Sequence, residues 1–148
     1  MKALIQRVSS AHVEIAGTTF GGIRKGLLVF LCAVKGDTEK DLEYVARKVS
    51  SLRVFEDEQG KMNRSVMEIS GEVLIVSQFS LAASTRKGNR PSFDNAEEPE
   101  QARRMYELFI KRLRDIGVPV QTGTFAAMMQ VYLVNDGPVT ISLDSRED

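Results

Sequence analysis

Two short stretches hold the residues whose types and spacing could do chemistry. In the first, Ser77-Gln78-Phe79-Ser80-Leu81-Ala82-Ala83 follows directly on the apolar run Val73-Leu74-Ile75-Val76. It sets a hydroxyl and a side-chain amide at a strand-to-loop junction. Backbone N–H groups at such a junction can stabilise a developing oxyanion. The Ser80 hydroxyl invites a nucleophile reading, but without an adjacent base it is a weak one. In the second stretch, Leu133-Val134-Asn135-Asp136-Gly137-Pro138-Val139-Thr140, an apolar strand makes a tight corner and leaves as a β-branched run. Glycine lets the backbone come close to another group, and X-Pro bonds are the common place for a cis peptide. An ordered Gly137-Pro138 corner can therefore present carbonyl oxygens in a fixed direction. The plainer reading is a hairpin turn.

The remaining residue types argue against the common alternatives. His12 is the only histidine. It sits in a strand-like stretch, and no Gly-x-Ser-x-Gly elbow marks a serine nucleophile. A Ser-His-Asp triad is therefore not expected, and His12 reads as a structural or surface residue. No His-Cys-carboxylate cluster has metal spacing, so no metal is expected. Neither a phosphate-binding Gly-x-x-x-x-Gly-Lys-Ser/Thr loop nor Gly-x-Gly-x-x-Gly occurs, so no nucleotide cofactor is expected either.

The two stretches together resemble the two signature motifs of the D-aminoacyl-tRNA deacylase family. The opening Met1–Val8 strand, the Arg90-Pro91-Ser92-Phe93 segment and the length of 148 residues also fit, so the resemblance covers essentially the whole chain. One position departs from it. Ser80 stands where the family typically has Thr, which keeps the hydroxyl and the backbone N–H and loses a methyl.

The resemblance implies a cofactor-free esterase that splits D-aminoacyl-tRNA into tRNA and D-amino acid. The amides of Phe79 and Ser80 would be the oxyanion donors, with the substrate's ribose 2′-hydroxyl assisting in place of a protein nucleophile. Gln78 would stand beside the ester, with Ser77 in the same substrate-binding motif. Gly137-Pro138, in cis, would reach into the opposite subunit of a homodimer, capture the substrate ammonium and exclude an L side chain. Glycine would pass the same filter, so glycyl-tRNA mischarged on tRNA(Ala) is an implied second substrate. Arg7 corresponds to an arginine that holds this corner; a strand-surface ion pair is the alternative. Ala102 and Phe125 are implied for the terminal adenosine pocket, and both could equally be core residues. Arg86, Lys87 and Arg90 form a local basic cluster suited to phosphates of the tRNA acceptor end, or else to plain solvation.

Composition agrees with local rather than bulk contact to nucleic acid. Lys and Arg number 20 against 20 Asp and Glu, so the chain does not coat RNA by net charge. Cys32 is the single cysteine and lies in an apolar run, where a small buried hydrophobe is expected rather than a disulfide or a reactive thiol. No signal peptide is read at Met1–Ser10, and no apolar run approaches the ~20 residues needed to span a bilayer. The expected compartment is the cytoplasm, or an organelle after loss of a targeting segment.

The elements that must position these residues follow from periodicity. Ala3–Val8 and Ala11–Ile15 read as strands, Gly17-Thr18-Thr19 as a turn, and Leu27–Val34 as a strand buried on both faces. Thr38 with Asp41 marks a helix start, and Leu42, Val45, Ala46, Val49 and Leu52 form its apolar stripe. Arg53-Val54-Phe55 reads as a short strand, Asp57–Gly60 as a turn, and 61–71 resists assignment. Glu72–Gln78 is the strand feeding the first motif. Pro99 opens a second helix with Ala102, Met105, Phe109, Leu113 and Ile116 inward, ended by Gly117 and Pro119. Val118–Gln121, Ala126–Val134 and Val139–Leu143 complete the strands, and Asp144–Asp148 reads as a loose tail. The expected fold is α/β, α+β-like: one domain over 1–148, a mixed β-sheet or barrel-like sandwich with two main helices, as a homodimer.

Three other readings compete. A neighbouring branch of the fold uses a trans Gly-Pro and relaxed selectivity, but its first motif usually differs from Ser-Gln-Phe. Non-catalytic nucleic-acid-binding relatives in animals carry long C-terminal extensions, and Ser145–Asp148 is too short and too mixed in charge for such a tail. A plain dimeric scaffold would leave both motifs without a purpose.

Overall fold

The computed structural model describes residues 1–147; Asp148, the end of the expected tail, lies outside the described residues. One long strand, β1 (Lys2–Ile15), organises the sheet. Its first half pairs antiparallel with β3 (Gly26–Cys32), and its second half with β2 (Thr18–Ile23). Along its other edge it pairs with β8 (Gln130–Asp144) from end to end. Beyond β3 the sheet turns parallel, through β6 (Glu72–Ser77) to β7 (Val120–Thr122). β2 then curls back towards β7, where a Cβ on Gly21 would stand 2.6 Å from the Thr122 carbonyl oxygen. The result is a mixed, nearly closed, barrel-like sheet, and the small hairpin of β4 (Phe55–Glu56) and β5 (Met62–Arg64) lies apart from it.

Strand alternation divides the apolar residues between two cores. Leu28, Leu74 and Val76 point into the barrel with Val8, Ala11 and Val13. Leu27, Val29, Val73 and Ile75 point outward. There they meet α1 (Glu39–Ser51) and α2 (Pro99–Ile116) through Leu42, Val45 and Val49, and Met105, Phe109 and Leu113. The expected double burial of β3 follows from the barrel core on one face and the two helices on the other.

Both helices start where the sequence signals them, and α2 also stops there. Thr38 and Asp41 form the cap of α1, with the Thr38 N–H and hydroxyl donating to the Asp41 carboxylate at 2.8 and 2.7 Å. Burial pushes that carboxyl up, but these bonds, with one from Ser145, outweigh it and hold it at about 2. Pro99 is at the first turn of α2, and Gly117 ends it at φ +102°, a conformation that favours glycine.

Several strand boundaries differ from the sequence reading: Thr18 and Thr19, read as a turn, open β2, the expected strand Arg53–Phe55 keeps only Phe55, and Asp144, read as tail, ends β8. Ala3–Val8 and Ala11–Ile15 are one continuous strand of 14 residues, and the two expected C-terminal strands are one of 15. The reason is mutual: each supplies the other with an unbroken partner, so local breaks become bulges instead of strand ends. The expected start at Ala126 gives way to a loop, because Ala126 takes φ +62° and the strand begins at Gln130.

The parallel pairing of β3 with β6 sets the end of the cleft described next, and it depends on close backbone approach at Gly26. A Cβ there would collide with the Glu72 carbonyl oxygen. Gly26→Ala is expected to lose about 3 kcal/mol of stability, read as a lower urea midpoint; a midpoint within error of wild type would contradict this packing.

Candidate active site

Strands β3 and β6 end side by side at Leu31 and Ser77. The Gln78 N–H closes the ladder on the Leu31 carbonyl at 2.8 Å. The chain then tightens into a 3-10 turn, Phe79–Ala82. Hydrogen bonding of this turn starts with the Leu81 N–H donating to the Gln78 carbonyl at 3.2 Å. The N–H groups of Phe79 and Ser80 precede it and have no carbonyl within the turn to reach. From below, the Cys32 thiol donates to the Phe79 carbonyl at 3.6 Å and the Ala33 carbonyl at 3.4 Å. Burial pushes that thiol up to about 11, so it stays protonated and supports the turn.

The Gln78 side-chain amide donates to the Ser80 hydroxyl, which ties the two polar side chains of the motif together. No histidine accompanies them. His12 lies on the far half of β1, stacked on Tyr132 at 4.7 Å and 3.6 Å from the Glu14 carboxylate. Phe79 is not core: it is 59% exposed, and its ring meets the edge of Phe93 at 4.9 Å.

The turn forms one wall of a cleft of about 1080 Å³, lined among others by Ser77, Gln78, Phe79, Arg90, Ala102 and Phe125. Tyr106 fixes the opposite wall. Its hydroxyl donates to the Ile75 carbonyl at 2.9 Å, its ring leans on Phe125 at 5.7 Å, and burial pushes its phenol up to about 12. Of the three expected phosphate contacts, Arg90 reaches the cleft. Arg86 and Lys87 stay exposed on the loop beyond it. That loop is pinched at its base by the Ser84–Ser92 pair, whose two backbone bonds measure 2.8 and 2.9 Å.

The Gly137-Pro138 corner is no hairpin turn. Gln6 pairs with Thr140 and Val8 with Asn135, so residues 136–139 loop out of β8 opposite the single residue Arg7. The peptide is cis and Gly137 sits at φ +138°. Arg7 is buried rather than on the strand surface. It donates to the Asp136 carbonyl at 2.9 Å and the Val54 carbonyl at 2.6 Å, with the Asp136 carboxylate at 3.6 Å. Asn135 braces the neck of the loop: its amide nitrogen donates to the Thr140 hydroxyl at 3.0 Å, and its oxygen accepts from the Val139 N–H at 2.9 Å. The bulge itself is exposed, and none of its residues lines the cleft of its own chain.

Sequence reasoning missed Asn135, Tyr106 and Phe93 as supports. Only Asn135 carried a signal, the habit of Asn side chains to bond nearby backbone in turns. Among the described residues, no group of His, Cys, Asp and Glu side chains is placed to hold a metal ion. No helix there is long and apolar enough to cross a membrane.

A nearly closed mixed sheet with two helices outside it, and a cleft where two parallel strands end, is the fold class of the aminoacyl-tRNA deacylases. The D-Tyr-tRNA(Tyr) deacylase family model matches residues 4–144, and the chain belongs to that family. It is 55% identical to the D-aminoacyl-tRNA deacylase of Persephonella marina over 146 residues, 99% of each chain. To that of Paracoccus denitrificans it is 56% identical over 147 residues, again 99% of each. Among solved structures it is similar to a c-Myc DNA Unwinding Element Binding Protein (TM-score 0.93, 46% identity, 97% of this chain and 98% of that one). A probable eukaryotic D-amino acid tRNA deacylase shares the fold at TM-score 0.80 and 16% identity, over 96% of this chain and 97% of that one.

The neck of the bulge gives a direct test of its construction. Asn135→Ala removes two hydrogen bonds and is expected to cost about 1–2 kcal/mol, measured by urea unfolding. A cost indistinguishable from zero would mean that the neck is held without Asn135.

Proposed function

We propose that this protein hydrolyses the ester of D-aminoacyl-tRNA, releasing tRNA and the D-amino acid. The observation that carries this is the turn entered through Phe79 and Ser80, whose N–H groups precede its first hydrogen bond, with Gln78 and Phe79 lining the cleft, in a chain of this family. An ester carbonyl directed at those amides gains its stabilisation as the oxyanion develops. Water, oriented by the 2′-hydroxyl of the terminal ribose, adds to the carbonyl carbon. The tetrahedral intermediate then collapses with loss of the ribose 3′-oxygen, which takes up a proton. Gln78, held by Ser80, orients the ester, and Ser77 shapes the same wall. Ala102 and Phe125 take the terminal adenosine, while Arg90, with Arg86 and Lys87 further out, meets backbone phosphates.

Selectivity in this reading comes from a second copy of the chain. The Gly137-Pro138 bulge enters the partner's cleft, where its carbonyl oxygens accept the substrate ammonium. An L side chain then points into the bulge and is excluded, while glycine passes, so glycyl-tRNA mischarged on tRNA(Ala) is a further substrate. Support comes from the bulge being exposed, clamped by Arg7, and outside its own chain's cleft. A non-catalytic nucleic-acid-binding role is the second reading, favoured by the name of the 46%-identical solved structure.

The test compares D-tyrosyl-tRNA and L-tyrosyl-tRNA with the purified protein. Rapid loss of the D ester with the L ester spared is expected. Equal loss of both would remove the chiral filter, and no loss of either would leave the binding role. Ser80→Ala separates the two catalytic schemes. Amide catalysis predicts kcat within about tenfold of wild type, whereas loss of a true nucleophile costs on the order of 10⁶.

A further inference from the structure

Arg103 stands beside the cleft on a built support. It follows Ala102 on α2, and its guanidinium carbon lies 5.1 Å from the centroid of the Phe125 ring. Phe125 leans on Tyr106, and Tyr106 is anchored through its hydroxyl to the Ile75 carbonyl. Two carboxylates are within helical reach, Glu100 one turn before and Glu107 one turn after. Among the described residues neither forms an ion pair with Arg103. On the same helix, by contrast, Arg112 pairs with Glu43, and Lys111 with Asp115. Arg103 rests on the ring and keeps an exposed charge without a carboxylate partner.

An arginine that rests on an aromatic ring keeps its N–H edges for an in-plane anion, and phosphate fits that fork in a bidentate way. We propose that Arg103 binds the phosphodiester on the 5′ side of the terminal nucleoside. The proposal rests on the reading that Ala102 and Phe125 hold that nucleoside. The 5′-phosphate is the nearest anion to a ribose seated there, and Arg103 is the cation attached to the same ring. Arg90 lines the cleft itself, whereas Arg103 stands at its edge on Phe125, so Arg90 is left for phosphates further along the acceptor strand. Arg103 is thus a specificity residue that distinguishes an ester on a polynucleotide from one on a free nucleoside.

Two substrates separate this role from mere support of Phe125. One is D-tyrosyl-tRNA; the other is 3′-O-D-tyrosyl-adenosine, which has no phosphate. For Arg103→Ala, KM for the tRNA ester is expected to rise about tenfold with kcat kept. KM for the adenosine ester is expected to stay within about twofold, and the slope of log kcat/KM against log salt to flatten by about 0.7. Arg103→Lys should restore most of the salt slope. Equal weakening on both substrates would overturn the proposal in favour of a prop for Phe125, and so would no change on either. Wild-type protein inactive on both esters would overturn the deacylase reading itself, and this assignment with it.

Discussion

The structure turns on a buried guanidinium. Arg7 sits mid-strand, opposite four residues that have left the ladder. Taking a cation out of water is costly unless good acceptors meet it. Here the acceptors are the Val54 and Asp136 carbonyls at 2.6 and 2.9 Å, with the Asp136 carboxylate nearby. The same bonds that satisfy Arg7 fix where the bulge begins, and Asn135 fixes its neck. A Cβ on Gly137 would come within 3.0 Å of the Arg7 guanidinium and 2.9 Å of the Val139 side chain. Glycine suits the position because φ +138° strains any side chain, and a Cβ would in addition press on Val139 and Arg7.

The rest of the fold positions two fixed points, the bulge and the Phe79–Ala82 turn, through one strand. β1 pairs with β8, which carries the bulge, and with β3, which runs parallel to β6 and so places the turn. Helix α2 then closes the cleft through Ala102 and Tyr106. The site is therefore spread over elements distant in sequence, with the turn and the bulge each flanked by paired backbone. Such rigidity suits a catalyst that works by positioning and by amides aimed at developing charge.

Much of this was legible in the sequence because the signals were local. Thr38 and Asp41, Pro99 and Gly117 mark helix ends by their own chemistry, and the apolar run of β3 declares its double burial. The two motifs pointed to the turn and the bulge. Strand continuity was not legible, since Asn-Asp-Gly-Pro has the composition of a hairpin turn and only β1 reveals that the strand goes on. The exposure of the Phe79 ring, and the places of Tyr106 and Phe93 in the cleft lining, depend on long-range packing that leaves no local trace. Arg7 showed as a choice between a surface ion pair and a hold on the corner; it is buried and bonded to the Asp136 carbonyl.

The most direct measurement is the ratio of kcat/KM for D-tyrosyl-tRNA to that for L-tyrosyl-tRNA in Arg7→Lys. Lysine keeps the charge but has no planar fork to span the Asp136 and Val54 carbonyls. With folding checked by circular dichroism, the ratio is predicted to fall at least about tenfold, as the bulge loses its fixed position. A folded variant with the wild-type ratio would contradict the account, because the filter would then not depend on the clamp.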